Sequence, residues 1–345
     1  MINKQNIFRS VVRRDHAENY LLISLVAFSV TVVITRIFLQ LTGFPQIGDS
    51  VLHIAHALWG GLLLFIAVLL PLGWANHWII QVSALLGGIG IGLIIDEVGK
   101  FITQTNDYFF PPALSLIYGF ILLTVVVYLY FRRPEKEDPC EAMYHTLEGL
   151  QDALDGDLDM SEAARIESQL AIAKGSEREE IVSLANAISG YLYKEKQHLS
   201  AAKPGFWKRA TMRMDAFGLR LGSPVLRTII SVILFLWVIF VISFITVLVI
   251  RIPNLDSQVV QWRNALIVIQ VAIGGLMIFA LLAWLTGNEE RGLKFAVTGF
   301  LLSLVALQTV YFYLSQFSAI TATLLQLTFL LIMLAYRRWY LCDSS

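Results

Sequence analysis

Residues 78–107 read WIIQVSALLGGIGIGLIIDEVGKFITQTND. The stretch is uncharged up to Ile95, then carries Asp96, Glu97 and Lys100 before apolarity ends near Thr103. An α-helix needs about 20 apolar residues to cross a bilayer, so residues 78–103 are read as a transmembrane span. Ionisable groups are costly there and mark function by default. Just upstream, residues 49–61 read DSVLHIAHALWGG. Asp49, His53 and His56 fall at offsets of four and seven, which places them on one helix face. Residues 49–107 therefore hold the constellation around which the rest of the chain is read.

The 345 residues are 57% hydrophobic and 15% charged, against about 45–50% and about 25% for soluble domains. Further apolar blocks span residues 20–41, 51–72, 112–131, 226–250, 265–286, 295–314 and 319–336. The class is all-α: a polytopic membrane protein of about eight spans in two four-span halves. The first block is too long for a signal-peptide core and lacks a small-x-small cleavage site, so it is read as an anchor. Formal net charge is zero, which gives no sign of a nucleic-acid partner; membrane lipids are the expected surroundings. Cys140 and Cys342 lack the neighbours of a zinc site, and both fall in segments expected to be cytoplasmic, where thiols stay reduced.

Between the halves, residues 132–203 form a charged segment with no span. Asp138, Pro139 and Glu141 supply a helix start, and Asp159/Glu162 and Ser176/Glu179 repeat the capping-box spacing. Three apolar stripes follow: Tyr144, Leu147, Leu150 and Leu154; Ala163, Ile166, Leu170 and Ala173; Ile181, Leu184, Ile188 and Tyr191-Leu192. Their intervals of three and four predict a small three-helix domain over residues 139–199, a candidate surface for a cytoplasmic protein partner. His145 and His198 are expected to be solvated. Residues 204–225 alternate basic and apolar side chains, as in a helix lying on a membrane surface or in a plain juxtamembrane connector. In the second half, Gln270, Gln308 and Gln326 are the strongest polar groups within spans, and interhelical packing accounts for them.

Lys and Arg concentrate in the N-terminus, in residues 132–227, in the loop of Arg291 and Lys294 and at Arg337-Arg338. By the positive-inside rule both termini and the three-helix domain face the cytoplasm. Arg36, Asp49, His53, His56, Asp96, Glu97, Lys100 and Asp107 then share the outer half of the bilayer, with Asp96 roughly 10 Å below the end of its helix. Gly88 and Gly92 lead to Asp96 at four-residue intervals, and Gly60 extends the face of the two histidines. Such small-residue rows let helices approach closely, drawing the second span towards the third.

Three chemistries fit this cluster. His53, His56, Asp96, Asp49 and Asp107 are metal-ligand candidates for Zn, Mn or Fe, with Glu97 a general base towards metal-bound water and Lys100 or Arg36 stabilising developing negative charge. Four carboxylates against Arg36 and Lys100 leave a net charge of −2 with neutral histidines, the charge of one divalent cation. Alternatively, Asp96, Glu97 and the histidines form a proton relay in a transporter or channel. The third reading is a salt-bridge network, Lys100 pairing within its helix at i+3 and i+4 and Arg36 serving the other acid. Asp155 to Asp159 begin like an EF-hand loop, but Met160 and Ile166 stand where glycine and glutamate are needed.

The strings HIAHALWGG, GIGLIIDEVGKFIT and NDYFFPP resemble the hallmark segments of a widespread family of bacterial multi-pass membrane proteins without an assigned activity. The resemblance covers residues 31–131. Its family-specific positions fall here on His53, His56, Trp59, Gly60, Gly61, Asp96, Glu97, Gly99, Lys100, Asn106, Asp107 and Tyr108. A looser similarity joins VanZ-like and YjdF-like proteins, which also place Asp and His at a span start and an acid on a later span. The first resemblance implies a bacterial plasma-membrane protein. The functional expectation is thus an outward-facing metal-dependent enzyme acting on a lipid or envelope precursor, a proton- or ion-coupled transporter or channel, or a membrane scaffold binding through residues 139–199.

Overall fold

The computed structural model describes residues 12–43, 55–108, 110–132, 138–154, 158, 160–195, 216, 222–251, 257–314 and 316–341. Among these residues the chain is all-α with no strand, and eight helices are long and apolar enough to cross a membrane. The protein is an integral, multi-pass helical membrane protein. In chain order the helices are α1 (Ala17–Thr42), α2 (His56–Gly73), α3 (His77–Asp96), the short α4 (Val98–Ile102) and α5 (Pro111–Phe131). Three shorter helices follow: α6 (Pro139–Leu154), α7 (Met160–Ala173) and α8 (Glu179–Glu195). Then come α9 (Ser223–Arg251), α10 (Ser257–Leu285) and α11 (Glu289–Leu302). A π-helical turn, Ser303–Leu307, leads into α12 (Gln308–Leu314), and α13 (Gln316–Tyr336) ends in a second one, Arg337–Leu341.

The chain packs as two compact units: Met1–Val98 with Phe120–Lys203, and Gly99–Gly119 with Pro204–Ser345. In the first unit α3 lies against both α1 and α2. Glycine makes both approaches possible. A Cβ on Gly88 would stand 2.4 Å from the Ser24 carbonyl oxygen of α1, and one on Gly92 would stand 2.8 Å from Thr31 Cβ. On the other side, Gly60 of α2 and Gly90 of α3 interlock, each Cβ position lying 2.7 Å from the other's carbonyl oxygen. The Gly88/Gly92 row therefore serves α1, and it is Gly90 that meets the second span at Gly60. The row at four-residue intervals stays on one face of α3, so it carries Asp96 to α1 as well.

The third span is interrupted. Asp96 ends α3, Glu97 occupies a turn (φ −87°, ψ 7°), and α4 resumes for five residues. Asp96 is thus at a helix terminus and not inside one continuous helix.

Also in the first unit, α6–α8 pack together around Met143, Ala163, Ile166, Leu170, Ala185 and Leu192. Cys140 N donates to Asp138 Oδ2 (3.3 Å), capping α6 as its sequence implies. The α7 stripe is buried throughout, and from α8 Ile181, Ile188 and Leu192 are buried. Tyr144, Leu147, Leu184 and Tyr191 are exposed, and α6 instead buries Ala142, Met143, His145 and Thr146. The reason lies upstream. The segment before α1 docks on α6 and α7: Arg14 pairs with Glu148 (3.1 Å), Asp15 with Arg165, and His145 Nε2 lies 3.0 Å from the Arg13 carbonyl oxygen. The face of α6 beneath that segment is polar, so apolar periodicity does not reveal it. His145 is accordingly a buried docking residue and not a solvated one. His198, Asp159 and most of residues 204–225 lie outside the described residues.

The second unit is built on α9–α13 around Trp237, Met277, Trp284, Phe300 and Met333. Trp284 Nε1 donates to Ser231 Oγ (2.9 Å), and Tyr336 and Arg227 converge on Glu289. The first half of α5 joins this unit, with Ser115 and Tyr118 donating to the Thr309 and Leu304 carbonyls at 2.8 and 2.7 Å.

Candidate functional site

Arg36, His56, Asp96 and Glu97 meet where the C-terminal ends of α1 and α3 face the N-terminal end of α2. Arg36, Asp96 and Glu97 are essentially fully buried, while the side chain of His56 is 23% exposed. Arg36 Nε donates to Asp96 Oδ1 (2.6 Å), and Nη2 donates to the Asp96 main-chain carbonyl (3.0 Å). The guanidinium thus neutralises the carboxylate and caps the terminus of α3, where unsatisfied carbonyls and the helix dipole favour a cation. This explains why the helix can stop at Asp96 inside the protein.

The second Asp96 oxygen, Oδ2, lies 3.2 Å from His56 Nε2, and His56 Nδ1 lies 3.3 Å from Glu97 Oε1. One imidazole therefore bridges two buried carboxyl groups. A neutral imidazole has one donor nitrogen, whereas the imidazolium has two. Hydrogen bonding on both sides accordingly requires either a protonated His56 between two carboxylates or a neutral His56 with one protonated carboxyl group. In both states the three groups hold one proton. With it, and with the positive charge of Arg36, the four residues are neutral; without it they carry −1. Charge at such burial is expensive unless paired.

Of the sequence-level candidates, the fold brings Arg36, His56, Asp96 and Glu97 together. Asp49 and His53 lie outside the described residues. Lys100 and Asp107 belong to the second unit, where the Lys100 ammonium lies 5.6 Å from the centre of the Tyr108 ring and Asp107 N donates to Thr103 Oγ1 (2.7 Å). Among the described residues, no group of three or more His, Cys, Asp or Glu side chains is arranged to hold a metal ion.

A second polar cluster lies at the opposite ends of α1 and α3, and sequence reasoning passed over it. Tyr20 hydrogen-bonds His77, while His16 packs against Arg165 beside Asp15. Burial, followed by the charge of Arg165, holds the His16 pKa below its ordinary value of 6.5. The available signal was the pairing of His77, at the start of one span, with Tyr20 and His16, at the start of another that returns to the same side. Comparison with protein-family models, curated proteins and solved structures finds no match.

Proposed function

We propose that the chain is a proton-coupled membrane protein of the transporter or channel class, in which His56, Asp96 and Glu97 bind and release one proton and Arg36 is the fixed counter-charge. The observation that supports this is the single imidazole lying between two buried carboxyl groups. His56 is the most exposed of the four and is the natural entry point. A proton taken up there passes to either carboxyl group by exchange across a hydrogen bond, and the cluster moves between −1 and neutral. Such a change in a low-dielectric site alters the cost of burying it. Under the positive-inside topology the cluster faces outward, and the His77–Tyr20 pair lies at the inner ends of the same helices. Between the two clusters α1 and α3 are in glycine-mediated contact, so transfer from one side to the other requires that seam to open.

The test is proton flux in vesicles reconstituted with the purified protein and loaded with a pH-sensitive dye. Wild type should dissipate an imposed pH gradient faster than protein-free vesicles, and Asp96→Asn, Glu97→Gln and His56→Ala should each abolish the excess. Flux indifferent to all three substitutions sinks the proposal. Stoichiometric zinc, manganese or iron in purified wild type, lost in His53→Ala, would favour the metal-dependent lipid or envelope enzyme instead. The scaffold reading predicts partner capture that disappears on removal of residues 139–199.

A further inference from the structure

The second unit contains a cavity of about 420 Å³ among α9, α10, α12 and α13. Among the described residues its wall is mainly aliphatic and aromatic and carries no charged side chain. Four unpartnered polar groups break that pattern. Gln270 of α10, Gln308 of α12 and Gln326 of α13 each present a buried side-chain oxygen with no hydrogen-bond partner, as does the indole N–H of Trp237 on α9. All four residues line the cavity, and all are nine-tenths or more buried. The π-helical turn Ser303–Leu307 forms part of the same wall, with Ser303 buried. Glutamines that simply tied helices together would satisfy one another. These leave their oxygens unused around one space, and an orphaned buried acceptor is costly. Interrupted helices of this kind recur at functional sites.

We infer that this cavity is a binding site for an uncharged lipid whose head carries at least two hydroxyl groups and a carbonyl, a monoacylglycerol being the simplest example. The amide oxygens call for hydroxyl donors and the indole N–H calls for an acceptor. A molecule that only accepts leaves the amide oxygens orphaned. A phosphate-bearing head meets no cation among the described wall residues and loses its hydration without compensation. The aliphatic and aromatic remainder suits acyl chains, and the volume falls within the range of ordinary ligand pockets. This inference is independent of the proton-binding cluster, which lies in the other unit.

A photoactivatable monooleoylglycerol incorporated with the full-length protein into nanodiscs provides the test. Cross-links should concentrate on the cavity walls. Unlabelled monooleoylglycerol should compete, and phosphatidylglycerol should not. The double variant Gln308→Leu/Gln326→Leu should weaken capture roughly tenfold, about the worth of two hydrogen bonds, without lowering the unfolding temperature of the lipid-free protein. Ala322→Phe, which fills the cavity from α13, should block labelling in a folded protein. Labelling spread evenly over the lipid-facing surface, or equal competition by phosphatidylglycerol, overturns the inference. So does a double variant that loses stability while labelling is unchanged, since the glutamines would then be interhelical ties.

Discussion

Arg36 makes two bonds at once, to the side chain and to the main-chain carbonyl of Asp96. A guanidinium can do this because its donors form a rigid fork, whereas an ammonium offers a point charge on a flexible stem. Arg36→Lys should therefore keep the charge and lose the cap. Arg36→Leu strands Asp96 without its counter-ion and should cost about 3–5 kcal/mol; chemical unfolding in detergent should rank wild type, Arg36→Lys and Arg36→Leu in that order. At the opposite end, His16 has its pKa lowered by burial and Arg165. The fold prefers its neutral form, so its contribution is complete above pH 6.5 and is lost as pH falls from there through the lowered value. Hydrogen exchange should show the docked segment before α1 loosening on acidification. In His16→Asn, which tolerates the left-handed backbone at this position (φ 56°), that dependence should disappear. The sequence was informative for Arg36, His56, Asp96 and Glu97, because charge inside an apolar run is conspicuous. It was silent for His145, whose partner is a main-chain carbonyl far along the chain.

At the scale of elements, α3 is a two-sided glycine strip. Gly88 and Gly92 admit α1, and Gly90 admits α2. Adding a side chain at Gly88 or Gly90 meets backbone, which cannot yield as a flexible side chain can. Gly88→Val and Gly90→Val should each destabilise by about 1–3 kcal/mol or more, whereas Gly61→Val, with nothing within 4 Å of its Cβ position, should be close to neutral. Thermal unfolding of the three variants in detergent checks the contrast. Spacing alone identified the row but not its partner, because glycines two residues apart point to different neighbours. The break at Glu97 was hidden for a related reason. Hydropathy runs straight through it, and what ends α3 is a guanidinium supplied by another helix. Just beyond, Gly99 has the carbonyl oxygens of Asp107 and Tyr108 within 2.7 and 3.1 Å of its Cβ position, a close approach that hydropathy likewise does not register.

Over the whole molecule, eight spans and the three shorter helices between them were legible because lipid and water impose different compositions on the chain. The Arg13–His16 clamp adds what composition could not: it fastens those three helices to the start of the first span. By the positive-inside rule they are expected in the cytoplasm. In a Cys342→Ala background, a membrane-impermeant maleimide should label Cys140 in inverted vesicles and spare it in right-side-out ones; the reverse pattern would invert the topology. In the second unit, the three glutamines were read as helix-to-helix ties, since a sequence shows that an amide is present but not that it is left unbonded beside a cavity.

The π-helical turn at Ser303–Leu307 has a further consequence. Such a turn behaves as one surplus residue in an α-helix, and one residue corresponds to about 100° of rotation. It therefore sets the phase of everything after it, so that Gln308 and Tyr311 face the chamber. Removing a single residue from this turn, with no change of composition, would swing that face towards the acyl chains and leave the chamber without one of its amide groups.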